Sequence, residues 1–482
     1  MNTGSTVPPA MSGASAVVAY DPGDILDEAF VAAGEPRPHY AATMQALSAH
    51  DLGALRAAVM ADLDAAGCGF ASPKGSDAFN VDPVPRILGA QEFATLAAGL
   101  EQRVRALDAF VADVYGARRI IEAGVVPARV VDSADHHEPA VAEHHRPVQI
   151  GFAGLDLIRV PGGAFTVLED NVRTPSGLAY MLAARRTLLG HLAAPDELLG
   201  VHDAVVDLVS GTLRAAARGR SDLAREPEIV ILSDGPRNAA WWEHGELARL
   251  LGAPLVTPGD CEHAGDQLVR RDGEGRRIPV DVVYRRTDED RLVGDDGELT
   301  GLGALLDAPL RAGTLACVNA FGTGVADDKL VHAYVEDMIG FYLGEEAALP
   351  SVRTYDLGDE ACRDEALGRL DELVVKPRAG YGGAGVVIGP HADGGDLLAL
   401  AGEIRDSPTA FIAQETVHFS RHPTVIDGRL EPRHVDLRPF VAFDGERART
   451  VPGGLTRVAL GEGDLVVNSS QDGGAKDTWV LR

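Results

Sequence analysis

The chain is poor in lysine and in net positive charge. Of its 482 residues, 44 are lysine or arginine and 72 are aspartate or glutamate, which gives a formal net charge of -28. Affinity for a nucleic-acid backbone comes mainly from clustered basic residues, so this balance argues against a DNA- or RNA-binding protein. Lysine occurs at 4 positions, which leaves 40 of the 44 basic residues as arginine. The scarcity draws attention to each lysine: Lys74, Lys329, Lys376 and Lys476.

Cysteines and long apolar runs are scarce as well. The 4 cysteines are widely separated and form no C-x-x-C pair, which favours buried thiols over a disulfide framework or a zinc site. No window approaches the ~20 apolar residues of a membrane helix, and the first residues lack the regions of a secretory signal. We therefore expect a cytoplasmic protein with neither a membrane nor a nucleic acid as partner.

The spacing of apolar residues predicts a mixed α/β chain. Leucine, valine and isoleucine recur at helical spacing over 41–66 and 91–123, so the region before residue 145 is predicted to be mainly helical. Residues 228–258 contain an apolar strand, a helix and another short strand, which is a βαβ unit. We expect a Rossmann-like α/β domain around this unit, without a phosphate-binding glycine fingerprint of its own.

An acidic hairpin is the most informative stretch of the sequence, GLDLIRVPGGAFTVLEDNVRTPSG. A two-residue turn at Gly162-Gly163 would place Asp156 directly opposite Glu169. The same register gives two apolar pairs, Ile158 with Val167 and Val160 with Phe165. Two carboxylates about 5 Å apart repel each other without a counter-ion, and Asn171 follows on the same face. Such oxygen ligands suit Mg²⁺, so we predict a metal site here rather than a solvent-facing polar end.

Lys376 ends an apolar strand that leads into a glycine-rich loop. The loop contains Gly380, Tyr381, Gly382, Gly383 and Gly385. Its G-x-G-x-x-G spacing alone is a weak signal, because no helix follows it as in a dinucleotide-binding fold. In a protein kinase the lysine comes after the loop instead of before it. We therefore predict a hairpin loop whose backbone amides cover phosphate oxygens, with an ordinary glycine-rich hairpin as the alternative.

Three later segments carry further candidate ligands. An apolar strand, FIAQETV, ends near Gln414 and Glu415, which can accept an adenine amino group. The stretch RHVDLRPF carries Arg438, whose forked guanidinium suits a phosphate or a carboxylate. The last segment, VVNSSQDGGAKDTW, contains Asn468 and Lys476, although an isolated lysine is more often a surface residue.

Together these motifs resemble those of ATP-grasp enzymes in a changed order. In that superfamily the metal hairpin is the last motif of the chain. It follows the Asp-Lys pair, the strand lysine with its glycine-rich loop, the hinge glutamate, the strand arginine and the asparagine. In this sequence the metal hairpin comes first. The segments LEDNVRTPSG, VADDKLVHAYVEDMIGFYLGEE, RHVDLRPF, PGGLTRVAL and VNSSQDGGAKDTW are similar to the type 2 group of circularly permuted ATP-grasp proteins, which share the arrangement of glutathionylspermidine synthetase. The resemblance spans about residues 20–482.

This resemblance implies an α/β protein with α+β lobes. The fold would be a circularly permuted ATP-grasp fold with an inserted Rossmann-like pre-ATP-grasp domain and a helical N-terminal region. The expected boundaries are a disordered start at 1–20, the helical region at 21–145, a permuted metal-binding part of the C-lobe at 146–195, the Rossmann-like domain at 196–325, the N-lobe with its glycine-rich loop at 326–410 and the rest of the C-lobe at 411–482.

The resemblance also implies ATP and Mg²⁺ as cofactors and assigns roles to residues. The nucleotide would be held by Lys329, Lys376, Gly380, Tyr381, Gly382, Gly383, Gly385, Gln414, Glu415 and Asn468, and Mg²⁺ by Asp156, Glu169 and Asn171. The γ-phosphate or acyl phosphate would face Arg438, Arg173 and Lys476. Many such ligases carry an arginine two residues before the metal aspartate, where this chain has Gly154. Arg159 faces away in the predicted register, which leaves the acyl-phosphate stabiliser open.

Three functions follow as expectations. The favoured one is an ATP-dependent carboxylate-amine ligase that acts through an acyl phosphate on a small-molecule or peptide substrate. The second is an ATP-dependent phosphotransferase. The third is a nucleotide-binding scaffold or regulatory subunit that works with an operon-encoded protein partner. A pure scaffold has no evident need for Asp156 opposite Glu169, so the charged residues favour an enzyme.

Overall fold

The computed structural model describes residues 13–72, 75–144, 146–218, 225–289, 291–294, 296–380, 385–461, 463 and 473–482. Within these ranges, no helix combines the length and the apolar character that crossing a membrane requires. The N-terminal part contains the helices Gly13–Ala19, Ala41–Ser48, Leu52–Ala65, Ala90–Val114, Arg119–Glu122 and Ala128–Asp132. Short strands lie between them: Phe30–Ala32, Glu35–Pro36, Gly69–Ser72, Gly75–Ala78 and Arg86–Leu88.

The N-terminal helices differ from the prediction in two places. The helix expected over 41–66 is divided, because Asp51 begins a new helix and its carboxylate accepts the Ala54 N–H at 2.8 Å. Residues 13–19 are helical where disorder was expected. The N–H of Gly13 donates to the His50 carbonyl at 2.8 Å, and Tyr20 is 1% exposed, so the segment is fixed against the following helices.

A central sheet brings together segments from both ends of the chain. Its strand order is Arg86–Leu88, Gly474–Val480, Leu455–Val458, Arg429–Arg438, Asp156–Arg159 and Phe165–Glu169, and Arg421–Ile426 also pairs with Arg429–Arg438. Leu157 pairs with Leu437, so the acidic hairpin lies beside a strand that is far away in sequence. This pairing joins the early hairpin to the C-terminal strands, as the permuted order requires.

A second sheet carries Lys376. Its strand order is Thr354–Asp356, Phe411–Glu415, Leu373–Pro377 and Val387–Ile388, all antiparallel. The helices Glu360–Leu367 and Gly394–Asp406 belong to the same part of the chain. Apolar residues from the sheet and helices form a core of their own, which includes Tyr355, Leu373, Val375, Leu400, Ile404 and Ala413. We call Leu373–Pro377 the lysine strand.

A parallel sheet occupies the middle of the chain. Its strand order is Leu255–Val256, Ile229–Ser233, Val282–Arg286 and Ala316–Val318. The helices of this region are His202–Ala216, Trp241–Leu251 and Gly301–Arg311, and an antiparallel sheet of Cys261–Ala264, Gln267–Arg271 and Arg277–Pro279 adjoins it in sequence. At the carboxyl end of Val282–Arg286, the Arg286 Nη1 donates to the Pro175 carbonyl at 2.7 Å. The parallel sheet therefore supports the loop that follows the acidic hairpin.

The remaining elements fill the spaces between these sheets. A small antiparallel sheet has the order Ala448–Thr450, Phe440–Phe443 and Phe152–Gly154, and the other helices are Leu178–His191, Gly324–Asp327 and Val335–Leu343. The helix Gly324–Asp327 ends at Asp327. Asp327 accepts the backbone N–H groups of Val172 at 2.6 Å and Arg173 at 3.0 Å, so it fixes the exit of the hairpin.

The acidic hairpin confirms one predicted pair and corrects the others. Asp156 lies opposite Glu169 as expected. The apolar pairs were wrong by one position: Leu157 faces Val167, Ile158 faces Thr166, and Arg159 faces Phe165. The turn is longer than two residues, because the Val160 N–H donates to the Ala164 carbonyl at 3.0 Å. A register irregularity between Asp156 and Leu157 restores the carboxylate pair.

Candidate active site

A cavity of about 500 Å³ lies between the sheet that carries Lys376 and the central sheet. This volume is within the usual range for small-molecule sites, about 300–1,000 Å³. Most of the predicted site residues line it: Asp156, Glu169, Asn171, Arg173, Lys329, Lys376, Gly380, Gln414, Glu415 and Arg438. Tyr381, Gly382, Gly383 and Asn468 lie outside the described residues. The structure thus brings together side chains from four separate parts of the sequence.

Two lysines face the cavity from the same side. The burial of Lys376 lowers the pKa of its ammonium, and the nearby Glu169 carboxylate opposes that shift. Lys329 Nζ donates to the carbonyls of Gly380 at 2.5 Å and Arg378 at 3.3 Å. Lys329 is therefore held at the start of the glycine-rich loop, whereas the Lys376 ammonium makes no hydrogen bond or ion pair within the described part of the chain. A buried ammonium of this kind suits an anionic ligand such as a phosphate.

The two described glycines of the glycine-rich loop have positive φ angles. Gly385 has a φ of +72°, and a Cβ there would lie 2.8 Å from Cγ of Pro377. Gly380 has a φ of +96°, so both positions favour glycine sterically. Gly385 does not line the cavity; its role in the structure is to let the returning strand approach Pro377.

Gln414 and Glu415 line the other end of the same wall. The Glu415 carboxylate accepts hydrogen bonds from both terminal nitrogens of Arg369 at 3.0 Å and from the Tyr355 hydroxyl at 2.5 Å. Gln414 donates to Thr354 Oγ1 at 2.9 Å, and its buried Oε1 has no partner among the described residues. Around them the wall is apolar, with Leu168, Val374, Val386, Ile388 and Val417. A flat heteroaromatic group with one hydrogen-bond donor matches this end.

The acidic pair lies across the cavity from the lysines. Both oxygens of Asp156 are bound by Arg438, with Nε to Oδ1 at 2.6 Å and Nη2 to Oδ2 at 2.8 Å. Glu169 forms no hydrogen bond or ion pair over the described ranges. Next to it, Asp170 accepts Arg103 Nε at 2.6 Å and lies 2.7 Å from His332 Nδ1. Burial opposes ionisation of Asp170, but Arg103 and His332 hold the pKa of its carboxyl well below its usual range.

Three functional candidates went unnoticed in the sequence. Arg457 lines the cavity and binds Asp156, with Nη2 2.8 Å from Oδ2. Asp327 lines it next to Arg173, whose Nε is 3.8 Å from Oδ2. The His136 Nε2 lies 3.1 Å from Arg173 Nη1. The PGGLTRVAL segment, which contains Arg457, was visible in the sequence, but its spacing does not relate it to the hairpin.

Oxygen ligands suited to Mg²⁺ are present in the cavity. The paired carboxylates of Asp156 and Glu169 and the side chain of Asn171 are hard donors of the kind that Mg²⁺ prefers. The Nδ2 of Asn171 is buried without a hydrogen-bond partner in the described structure; this atom can only donate, so Mg²⁺ would be held by Oδ1 of the same amide. Three converging His, Cys, Asp or Glu side chains are not found in the described ranges, so the donor set depends on Asn171 and on ligand oxygens.

Lys476 does not reach the cavity. Its side chain is 0% exposed and forms an ion pair with Asp82, and it also donates to the Pro423 carbonyl at 2.9 Å. The alternation of its strand directs it to the layer beneath the central sheet, among residues 82–84 and 423. A role on the γ-phosphate therefore does not fit its position.

We expect Lys476→Met to affect stability instead of catalysis. Removing one partner of a buried ion pair leaves an uncompensated charge, and such losses cost about 3–5 kcal/mol. Urea unfolding followed by circular dichroism should show this loss, whereas the KM for ATP of the folded variant should stay at the wild-type value. Asp82→Asn combined with Lys476→Met should recover part of the stability. A raised KM with unchanged stability would contradict this assignment.

Two lobes that meet at a cavity, with lysines on one and oxygen ligands on the other, are the arrangement of an ATP-grasp protein. The model of the family "Circularly permuted ATP-grasp type 2" matches residues 85–459. The chain therefore belongs to the circularly permuted ATP-grasp type 2 family. ATP-grasp proteins generally use ATP with a divalent metal.

The chain is also similar to several known proteins and to a solved structure. An uncharacterized protein of Mycobacterium tuberculosis is 42% identical over 470 residues, 95% of this chain and 84% of that protein. A protein of Frankia casuarinae named "Putative glutamate--cysteine ligase 2-2" is 43% identical over 95% of this chain, but the match covers 54% of that longer protein. A glutathione synthetase-like effector of Globodera pallida has a TM-score of 0.59 at 12% identity, over 90% of this chain and 98% of that one. That likeness bears on the fold alone.

Proposed function

We propose that this protein is an ATP- and Mg²⁺-dependent ligase that joins a carboxylate to an amine. The observation that carries the proposal is the position of Lys376 opposite the Asp156 and Glu169 pair in one cavity. Phosphoryl transfer requires positioning and charge stabilisation more than covalent participation of the protein. Family membership supports ATP use, and the printed name of the Frankia casuarinae relative supports a ligase in general terms.

The proposed reaction proceeds through two bond exchanges. A substrate carboxylate oxygen attacks the γ-phosphorus of ATP, the bond to the β,γ-bridging oxygen breaks, and ADP leaves. The amine nitrogen then attacks the acyl carbon, the bond to the phosphate oxygen breaks, phosphate leaves, and the amine loses its proton to solvent. The products are an amide, ADP and phosphate.

Residues of this chain divide the work along the cavity. The apolar wall near Gln414 binds the base, and Lys376 and Lys329 neutralise the phosphate oxygens. A bound Mg²⁺ would be held by Glu169, Asn171 and Asp156 and would neutralise charge on the phosphates. Arg173, fixed by Asp327 and His136, and Arg438 are placed to stabilise the charge that develops during transfer.

The acceptor substrate is proposed to bind at the aromatic end of the cavity. Phe70 and Tyr180 line this end with Gly177 and Leu455, and the two rings lie 4.7 Å apart. The Glu243 carboxylate accepts the N–H of Gly177 at 2.9 Å, which fixes the wall. An acceptor with an apolar or aromatic part, such as a peptide or amino-acid derivative, suits this end.

Mass analysis of reaction mixtures tests the proposed function. The protein is incubated with ATP, Mg²⁺ and panels of amino acids, peptides and carboxylates. An amide product with ADP supports the ligase. A phosphorylated product without an amide would make the protein a phosphotransferase. Tight ATP binding without any product would favour a nucleotide-binding scaffold, and both of these outcomes contradict the ligase proposal.

Phe70→Ala should weaken acceptor binding without weakening ATP binding. Loss of an aromatic contact of partial extent costs about 1.5 kcal/mol, which is roughly tenfold in KM. Steady-state kinetics should therefore show a raised KM for the acceptor and an unchanged KM for ATP. Phe341→Ala serves as the control, because Phe341 is on the helix Val335–Leu343 and does not line the cavity. A raised KM for ATP alone would contradict this placement of the acceptor.

A further inference from the structure

Four charged side chains form a continuous set at the floor of the cavity. Arg438 binds both oxygens of Asp156 at 2.6 and 2.8 Å. Arg457 Nη2 lies 2.8 Å from Asp156 Oδ2, and its Nε donates to Asp436 at 2.9 and 3.0 Å. All four line the cavity, and each carboxylate is 2% exposed. Two guanidinium groups therefore share one buried carboxylate beside Glu169.

This arrangement conflicts with simple occupation of Asp156 by a cation. Both oxygens of the carboxylate already accept from guanidinium groups, and a divalent cation at the same oxygens would be repelled by two positive charges a few ångströms away. In a partly buried site such repulsion is weakly screened. Cation binding at Asp156 therefore requires the arginines to find other anionic partners.

The fold prepares Arg438 for such a change. A Cβ at Gly154 would lie 2.9 Å from Pro175 Cβ and 3.3 Å from Arg438 Cδ, so the aliphatic stem of Arg438 fills the space over Gly154. An arginine at position 154 would have no room. The guanidinium groups at this point of the cavity come instead from Arg438 and Arg457.

We propose that Asp156 exchanges partners when the nucleotide binds: it holds Arg438 and Arg457 in the free protein, then releases them to phosphate oxygens as a divalent cation takes their place. The proposal rests on the proposed use of ATP. Guanidinium groups bind phosphate and carboxylate oxygens in the same forked geometry, so the exchange conserves their hydrogen bonds. Arg457 stays anchored by Asp436 throughout. The cation and the phosphates must then bind cooperatively, each favouring the other equally.

Binding of Mn²⁺ without nucleotide, measured by electron paramagnetic resonance, tests the exchange. Arg438→Gln and Arg457→Gln each remove a competing positive charge and should tighten Mn²⁺ binding by about tenfold or more. Asp156→Asn should abolish the gain when combined with either change. Arg159→Gln is the control, since Arg159 is on the same strand as Asp156 but pairs with Glu28 and Glu92, and its Mn²⁺ affinity should equal that of the wild type.

Unchanged or weaker Mn²⁺ binding in the arginine variants would overturn the proposal. Arg457→Gln leaves Asp436 without its partner and can impair folding; Arg438→Gln then carries the test by itself. A non-hydrolysable ATP analogue should tighten Mn²⁺ binding to the wild type far more than to Arg438→Gln. If the protein forms an amide but the arginine variants bind Mn²⁺ as the wild type does, the partner exchange is wrong and the ligase proposal stands. If the arginine variants bind Mn²⁺ more tightly but no amide product is found, the ligase proposal is wrong and the partner exchange stands.

Discussion

Replacing Lys376 with methionine is expected to lower the rate of ADP formation by about 10²–10³-fold, the usual effect of removing one preorganised charge-stabilising group. Methionine keeps the length and the apolar stem of the side chain, so the lysine strand retains its packing. The ammonium is the group that is lost. Its charge interacts with those of Glu169, Asp156 and Lys329.

The variant Lys329→Met is expected to behave differently from Lys376→Met. Lys329 already donates to the Gly380 and Arg378 carbonyls, so its loss should disturb the loop and raise the KM for ATP, with a smaller effect on turnover. Coupled-enzyme measurement of ADP at saturating ATP separates the two variants. Turnover of Lys376→Met within threefold of the wild type would show that this lysine has no part in phosphoryl transfer.

The sequence predicted the acidic pair for a partly incorrect reason. Counting from a two-residue turn places Asp156 opposite Glu169, and the structure has that pair. The actual turn includes Gly163 at a φ of +84° and shifts the following pairs by one residue. The irregularity next to Asp156 compensates for the shift. Alternation along a strand cannot reveal a bulge, because a bulge depends on what the hairpin packs against.

Motifs located residues well, but they could not assign partners. Lys376, Glu169, Asn171 and Gln414, to which the ATP-grasp resemblance assigns ligand-binding roles, line the cavity. The lysine in the last motif fails this test, because Lys476 pairs with Asp82 from the opposite end of the chain. Such pairings depend on tertiary structure, which local spacing does not encode.

The partners of the arginines on the other side of the cavity could not be predicted from the sequence either. Arg438 was expected to face a phosphate, whereas in the structure it binds Asp156, itself an expected metal ligand. Arg457 had no expected role at all. Its strand, Leu455–Val458, pairs with Arg429–Arg438, and only this pairing brings the two guanidinium groups to one carboxylate. A sequence with 40 arginines among its basic residues offers no local signal to distinguish these two.

Glu169 differs from every other carboxylate discussed above in having its oxygens uncommitted. Asp156 is bound by Arg438 and Arg457, Asp170 by Arg103, and Glu415 by Arg369. Within the described ranges the Glu169 carboxylate has no hydrogen bond or ion pair, and its charge opposes the lowering of the Lys376 pKa that burial causes. A carboxylate kept free in this setting is the simplest candidate for a permanent ligand of the cation.

Glu169→Gln should therefore lower turnover about 10³-fold, equivalent to about 4 kcal/mol of transition-state stabilisation. The amide matches the carboxylate in shape, so the hairpin should fold and the unfolding temperature should remain near that of the wild type. Mn²⁺ affinity in the presence of an ATP analogue should fall by about tenfold or more. Glu372→Gln is the matched control: it makes the same change at an exposed carboxylate that pairs with Arg369 and does not line the cavity, and it should leave Mn²⁺ affinity unchanged. If both variants bind Mn²⁺ as the wild type does, the cation is held elsewhere, because a direct carboxylate ligand cannot be neutralised without a loss of affinity.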